Sequence, residues 1–120
     1  MGLGQACGDV IQKHHEYARE WKSSRGGKVI GYFCNYVPEE IIHAAGMLPV
    51  RIIASQEPPT LAERYMPSGS TCPFARGCLH SIIKGDYSYL DGLVMPVTCY
   101  HIRAPFYYAR SDCLVPATHR

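Results

Sequence analysis

Six cysteines, Cys7, Cys34, Cys72, Cys78, Cys99 and Cys113, are the residues of this 120-residue chain best suited to chemistry. In a reducing compartment disulfides are a poor account of them. Their spacing also fails the CxxC and paired zinc-finger patterns, because the closest two, Cys72 and Cys78, are too far apart for a local zinc knuckle. Two roles are left. They are inert buried thiols, or thiolates gathered from distant stretches around a soft metal centre, where sulfur donors select zinc or an iron-sulfur cluster. Cys34 and Cys99 each end an apolar run, and Cys72 stands just before Pro73, where the amides and dipole of a helix N-terminus favour a thiolate. Cys34 reads as a small apolar residue closing a strand. Cys72 and Cys99 stand evenly between ligation and packing, Cys78 falls on a helix's apolar stripe and reads as core, and nothing around Cys7 or Cys113 suggests a role.

The other reactive side chains have simpler readings. His14, His15 and His43 are expected to be solvated or hydrogen-bonded helix histidines. His101 follows Cys99 closely, so support of a ligand is conceivable, but the bland reading outweighs it. Glu39 and Glu40 suit the positive first turn of a helix. "MPSGST" carries neither the Walker pattern nor a Rossmann fingerprint.

The elements that would position these groups follow from periodicity and breakers. Between Asp9 and Lys22, Val10, Tyr17 and Trp21, with Ile11 and Ala18 beside them, recur at helical spacing among charged residues. "SSRGG" ends that helix, and "KVIGYFC" reads as a buried strand. Pro38 opens a short helix over 38–45, with Ile41, Ile42 and Ala45 inward and Gly46 as its stop. "LPVRII" is a second strand, and the prolines of "ASQEPPT" forbid regular structure there. Pro73 opens a third helix with an apolar stripe of Phe74, Ala75, Cys78, Leu79, Ile82 and Ile83, ended by Gly85. "LVMPV" is a third strand. Strands without clean alternation, separated by helices, predict a parallel sheet covered on both faces, a doubly wound α/β unit. Ligands of such sheets bind beyond the carboxyl ends of the strands, where Cys34, Cys72 and Cys99 fall.

Composition sets bounds on partners. With 47% apolar and 18% charged residues the chain is ordinary for a globular domain, and a domain this short buries only about two-thirds of its unfolded surface. A net charge of +2 with no basic stripe argues against nucleic acid or anionic membrane surfaces. No window reaches the roughly 18 apolar residues of a membrane span, and the N-terminus lacks the core of a signal peptide. A cytoplasmic location is expected.

"KVIGYFCNYVPEEIIHAAGMLPVRI", then "STCPFAR", then "YLDGLVMPVTCYHIR" resemble the N-terminal part of subunits of the 2-hydroxyacyl-CoA dehydratase and benzoyl-CoA reductase family. The likeness runs from about Lys28 to Arg103 and rests on three motifs in the same order. It implies an incomplete flavodoxin-like or Rossmann-like parallel sheet with helices on both faces. It also implies an oxygen-sensitive enzyme of two related subunits, each holding a [4Fe-4S] cluster through three cysteines. Carried over residue by residue, Cys72 and Cys99 are two of those ligands, and the third lies beyond this sequence. Cys34 stands where the family often has a cysteine or another small residue, so it is expected to pack near the site rather than ligate. Tyr100 replaces a frequent Asp.

The family chemistry implied is one-electron. An ATP-dependent iron-sulfur activator protein injects a low-potential electron into an acyl-CoA substrate. An (R)-2-hydroxyacyl-CoA then loses its 2-hydroxyl through a ketyl radical, whereas in the reductase branch the electron enters an aromatic ring. The chain is a fraction of the family's length, so alone it is expected to be inactive. The expected organisation is an N-terminal helix over 1–27, a partial cluster-binding α/β unit over 28–103, and an irregular or truncated tail over 104–120, where Pro105 and Pro116 oppose a helix. Two other readings compete. One is a non-catalytic α/β fragment that docks on a partner through apolar surface. The other is a small zinc protein using Cys72, Cys78, Cys99 and His101.

Overall fold

The computed structural model describes residues 2–67, 69, 71–111 and 118–119. Three βα steps organise them. Helix α1 (Leu3–Arg25) precedes strand β1 (Val29–Tyr32), helix α2 (Glu39–Ala44) and strand β2 (Leu48–Arg51). A single 3-10 turn (Thr60–Ala62) leads to helix α3 (Pro73–Lys84), strand β3 (Gly92–Val94), helix α4 (Tyr100–Ser111) and the two-residue strand β4 (Thr118–His119).

All strand pairs are parallel, in the order β2-β1-β3-β4, with Gly31 opposite Val50 on one side and Leu93 on the other. Among the described residues that is the flavodoxin-like order through its fourth strand. Alternation along the strands separates two cores. Val29, Phe33, Val50, Ile52, Leu93 and Met95 join the main core with Ala18 of α1, Leu79 of α3 and Phe106 of α4. Tyr32 and Ile42 of α2 form a small core on the opposite side, with Ile30 and Val94 packed against it. Helices therefore lie on both faces, and three of the four are on one face.

Local chemistry explains the ends. Gly26, Gly46 and Gly85 adopt the left-handed φ that stops each preceding helix. Gly31 has no room for a side chain, since a Cβ there would lie 2.6 Å from Leu90 Cδ1 and 3.0 Å from Ile52 Cδ1. Leu48 N–H donates to the Lys28 carbonyl and Ile52 N–H to that of Tyr32, so position 49 faces away from β1. Proline at 49 removes one of the outward-facing donors of that edge, which discourages edge-to-edge pairing.

Asp91 ties three elements together. Its carboxylate accepts the Val29 N–H at 2.9 Å and the Lys22 ammonium at 3.1 Å, while its own N–H donates to the Val29 carbonyl at 2.8 Å. The start of β1, the approach to β3 and the end of α1 share this one side chain.

Several expectations are corrected. The stretch from 104 onward is not irregular through 111, because α4 continues across Pro105. The missing Pro105 N–H removes one helix bond to the His101 carbonyl, and full burial of the ring offsets part of that loss. The rest of the expected tail, 112–117 and 120, including Cys113 and Pro116, lies outside the described residues. In α1, Val10 and Tyr17 are 66% and 61% exposed; the inward residues are His15 and Ala18, buried, with Ile11 half-buried. Ile41 of α2 and Phe74 of α3 are also exposed, which leaves Ile42 as the inward residue of α2.

Candidate functional site

The sequence of each βα loop fixes where its thiol stands. Cys72 is the residue before Pro73, and a residue before proline is held out of helical conformation. Its φ of −54° and ψ of 128° make it the N-cap of α3. Ala75, Cys78, Leu79 and Ile82 anchor α3 in the main core. Arg76, only 8% exposed, reaches back to the Met66 carbonyl at 3.0 Å and to Glu63 at 3.5 Å. The segment leading to Cys72 is thus fastened beneath its own helix.

Cys99 has the same relation to α4. Pro96, Val97 and Thr98 carry the chain away from β3, and Cys99 immediately precedes the first residue of α4. Ile102, Phe106 and Ala109 seat that helix in the same core as α3. Two thiols therefore stand at the starts of two neighbouring helices on one face of the sheet, where the helix dipoles present partial positive charge to an anionic sulfur or cluster. Cys72 is half-buried and Cys99 exposed.

A direct tie links the two loops. The Cys72 backbone N–H donates to Nδ1 of His101 at 3.3 Å. His101 is the second residue of α4 and lies two positions beyond Cys99. The sequence favours the bland reading of His101 over support of a ligand or a place in the zinc set, and no pattern in it signals this contact to the Cys72 backbone.

Cys34 departs from its reading as a packed apolar residue. It is half-exposed and holds φ at +66°, the left-handed region that a non-glycine residue seldom adopts. Burial pushes its thiol up. Hydrogen bonds from the Tyr36 N–H, the Thr98 hydroxyl and the Asn35 N–H, together with the Arg51 charge, outweigh that effect and bring it below the ordinary cysteine value. Because Thr98 adjoins Cys99, Cys34 belongs to the same rim. Cys78 is its opposite, a fully buried thiol pushed up to about 12 by burial. A zinc reading that needs Cys78 therefore loses a ligand to the core. Nothing is described of the Cys7 side chain.

Among the described residues no three His, Cys, Asp or Glu side chains come together to hold a metal ion. In the kind of donor it offers, with thiols at Cys72 and Cys99, the rim fits a soft metal centre. It does not complete a site alone. A cleft of about 330 Å³ lined by His15, Ser55, Glu57, Lys84 and Tyr87 contains no cysteine and is not part of this rim. Tyr36, Val97 and Tyr100, at 76%, 74% and 80% exposure, lie within two residues of Cys34 or Cys99 in the chain and add exposed apolar surface to these loops. Among the described residues no helix is long and apolar enough to cross a membrane.

Residues 34–119 match the family described as 2-hydroxyglutaryl-CoA dehydratase, D-component. The chain is 30% identical over 91 residues to the (R)-phenyllactyl-CoA dehydratase beta subunit of Clostridium sporogenes, covering 76% of this chain and 24% of that one. Identity is 31% over 80 residues to the (R)-2-hydroxyglutaryl-CoA dehydratase beta subunit of Acidaminococcus fermentans, covering 67% and 21%. It is 35% over 89 residues to a benzoyl-CoA reductase subunit of Thauera aromatica, covering 72% and 23%. The chain thus spans about a quarter of the length of the curated relatives it matches.

Proposed function

This chain belongs to the 2-hydroxyglutaryl-CoA dehydratase D-component family, and from that premise we propose that it is part of an iron-sulfur subunit of an (R)-2-hydroxyacyl-CoA dehydratase. Cys72 and Cys99 are two ligands of a [4Fe-4S] cluster whose remaining ligand comes from outside these 120 residues. The observation that carries the proposal is the placement of both thiols directly before the first residues of adjacent helices, tied through Cys72 N–H and His101. When bound, such a cluster supplies one-electron transfer and Lewis acidity.

The chain's own residues do the rest. Arg76 and the α3–α4 core fix the two cysteine loops, and the apolar rim of Tyr36, Val97 and Tyr100 excludes water once a second subunit or further chain covers it. The proposed partners are a second dehydratase subunit, an ATP-dependent iron-sulfur activator protein and an acyl-CoA substrate, in the cytoplasm. The organisation proposed is the α1 segment, 1–27, followed by a cluster-binding α/β unit that runs from 28 past 103 to the end of α4, since Phe106 and Ala109 belong to its core.

Two other readings have specific support. Identity to a benzoyl-CoA reductase subunit favours reduction of an aromatic ring by the same family machinery. The exposed aromatic rim favours a fragment that only docks on a partner. A chimera separates all three. Residues 34–111 replace the matching segment of a full-length dehydratase beta subunit, and the assembled, activated complex is assayed on 2-hydroxyacyl-CoA and on benzoyl-CoA. Dehydration that is lost with Cys72→Ser and Cys99→Ser supports the proposal. Ring reduction alone supports the second reading, and assembly with neither activity supports the third.

A further inference from the structure

We infer that His101 is a positioning residue, whose Nδ1 sets the Cys72 thiol in register with that of Cys99 by holding the Cys72 backbone N–H. The inference rests on the proposed ligand role of the two cysteines and extends it to a residue that holds the Cys72 backbone.

The Cys72 N–H has no partner within α3, because it belongs to the extended residue before Pro73, while the helix's own first bond runs from Arg76 N–H to the Cys72 carbonyl. His101 accepts that N–H from the first turn of a different helix. Its neighbour Ile102 and the fully buried Phe106 fix α4 in the main core, so the acceptor is referenced to a rigid element. Cys99 is joined to the same helix by a single peptide bond. A slide of α3 along α4 would change the separation of the two cysteines and must break this bond first.

The contact also fixes the imidazole. With Nδ1 as the acceptor, the neutral ring carries its proton on Nε2. Outer hydrogen bonds of this kind hold metal-binding groups in place, and their loss typically weakens binding about 10- to 100-fold.

The test compares the parent chain with His101→Asn, whose side-chain oxygen stands in for Nδ1, and His101→Leu, which has no acceptor. Two readouts are used. The first needs no metal: 15N NMR of the histidine rings and hydrogen exchange of the Cys72 amide. The Nε2-protonated tautomer is expected, with exchange of the Cys72 amide about tenfold faster in His101→Leu than in the parent or His101→Asn. The second is the rate of iron loss to a chelator after anaerobic reconstitution with iron, sulfide and free thiol. His101→Leu is expected to lose iron at least about tenfold faster than the parent, and His101→Asn to stay close to it. Unchanged exchange in His101→Leu would overturn the tether, and faster exchange with unchanged iron loss would overturn the positioning role. A parent chain that binds no iron would remove the ligand reading and the positioning role together, while the exchange result would still decide whether the tether exists.

Discussion

Replacing Asp91 with alanine should destabilise the fold by about 2–3 kcal/mol, most of it from one backbone group. The Val29 N–H donates to this carboxylate at 2.9 Å, and the side chain is 21% exposed, so alanine strands a donor at the start of the central strand. A hydrogen bond to a charged acceptor of this kind contributes about 1.5–3 kcal/mol. The Lys22 pair, with its ammonium 35% exposed, adds roughly 0.5 kcal/mol, and the Lys28 pair, 70% exposed on the lysine side, adds little. Asparagine separates the two contributions. It keeps an oxygen for Val29 and loses the charge, so Asp91→Asn should cost only about 0.5–1 kcal/mol.

Urea unfolding followed by circular dichroism reads both variants. With a slope of about 1–3 kcal/mol per molar, Asp91→Ala should lower the midpoint by roughly 1–2 M, and Asp91→Asn by well under half of that. The same group predicts an acid limit. Burial pushes the Asp91 carboxyl up, but the Val29 N–H, Lys22 and Lys28 together hold it below its ordinary value. A depressed carboxylate contributes stability above its unfolded pKa of about 3.9 and loses it as pH falls through the folded value. Asp91→Ala should remove that part of the acid dependence. An alanine variant as stable as the parent, or an asparagine variant as damaged as the alanine one, would refute the assignment of the energy to the Val29 bond.

Three other outcomes follow from the same structure. Gly31→Ala should cost about 1–3 kcal/mol in a urea titration, since its Cβ would meet Leu90, Ile52 and Leu93 at 2.6–3.1 Å. His15 is buried, its Nδ1 is 2.8 Å from the Tyr89 hydroxyl, and burial, with His14 and Arg19 nearby, holds it below the ordinary histidine value against the opposing pull of Asp86. Stability should therefore be complete above about pH 6.5 and fall as pH drops through it, a slope that His15→Gln should flatten in thermal melts between pH 7.5 and 5. Under iodoacetamide at neutral pH, mass spectrometry should find Cys34 modified well before Cys78, because only Cys34 is both accessible and held low.

Much of the sheet was legible because its signals are local. Apolar runs bounded by Gly26, Gly46 and Gly85 mark where β1, α2, β2 and α3 begin and end, and unbroken apolar character in the runs predicts parallel strands between helices. What was not legible depends on tertiary contact. Pro105 reads as a breaker in any sequence, and only the buried environment of its ring makes the helix through it acceptable. In α1 the stripes through Val10 and Ile11 lie one residue step apart, and the choice was settled by His15, a polar residue that is nonetheless buried against Tyr87 and Tyr89. The positive φ of Cys34 reflects a loop folded around its own sulfur, for which a cysteine at a strand end gives no warning. The bond from Cys72 to His101 spans 29 residues and two loops, so spacing along the chain cannot announce it.

The central claim is that Cys72 and Cys99 are iron ligands, and metal content tests it most directly. The chain is reconstituted anaerobically with iron, sulfide and a small thiol to complete the coordination, beside Cys72→Ala and Cys99→Ala, and iron, acid-labile sulfide and the EPR spectrum are measured. Ligation by both thiols predicts a cluster in the parent that is lost in both variants while circular dichroism shows them folded. A folded parent without iron, or a cluster undiminished in either variant, would contradict it.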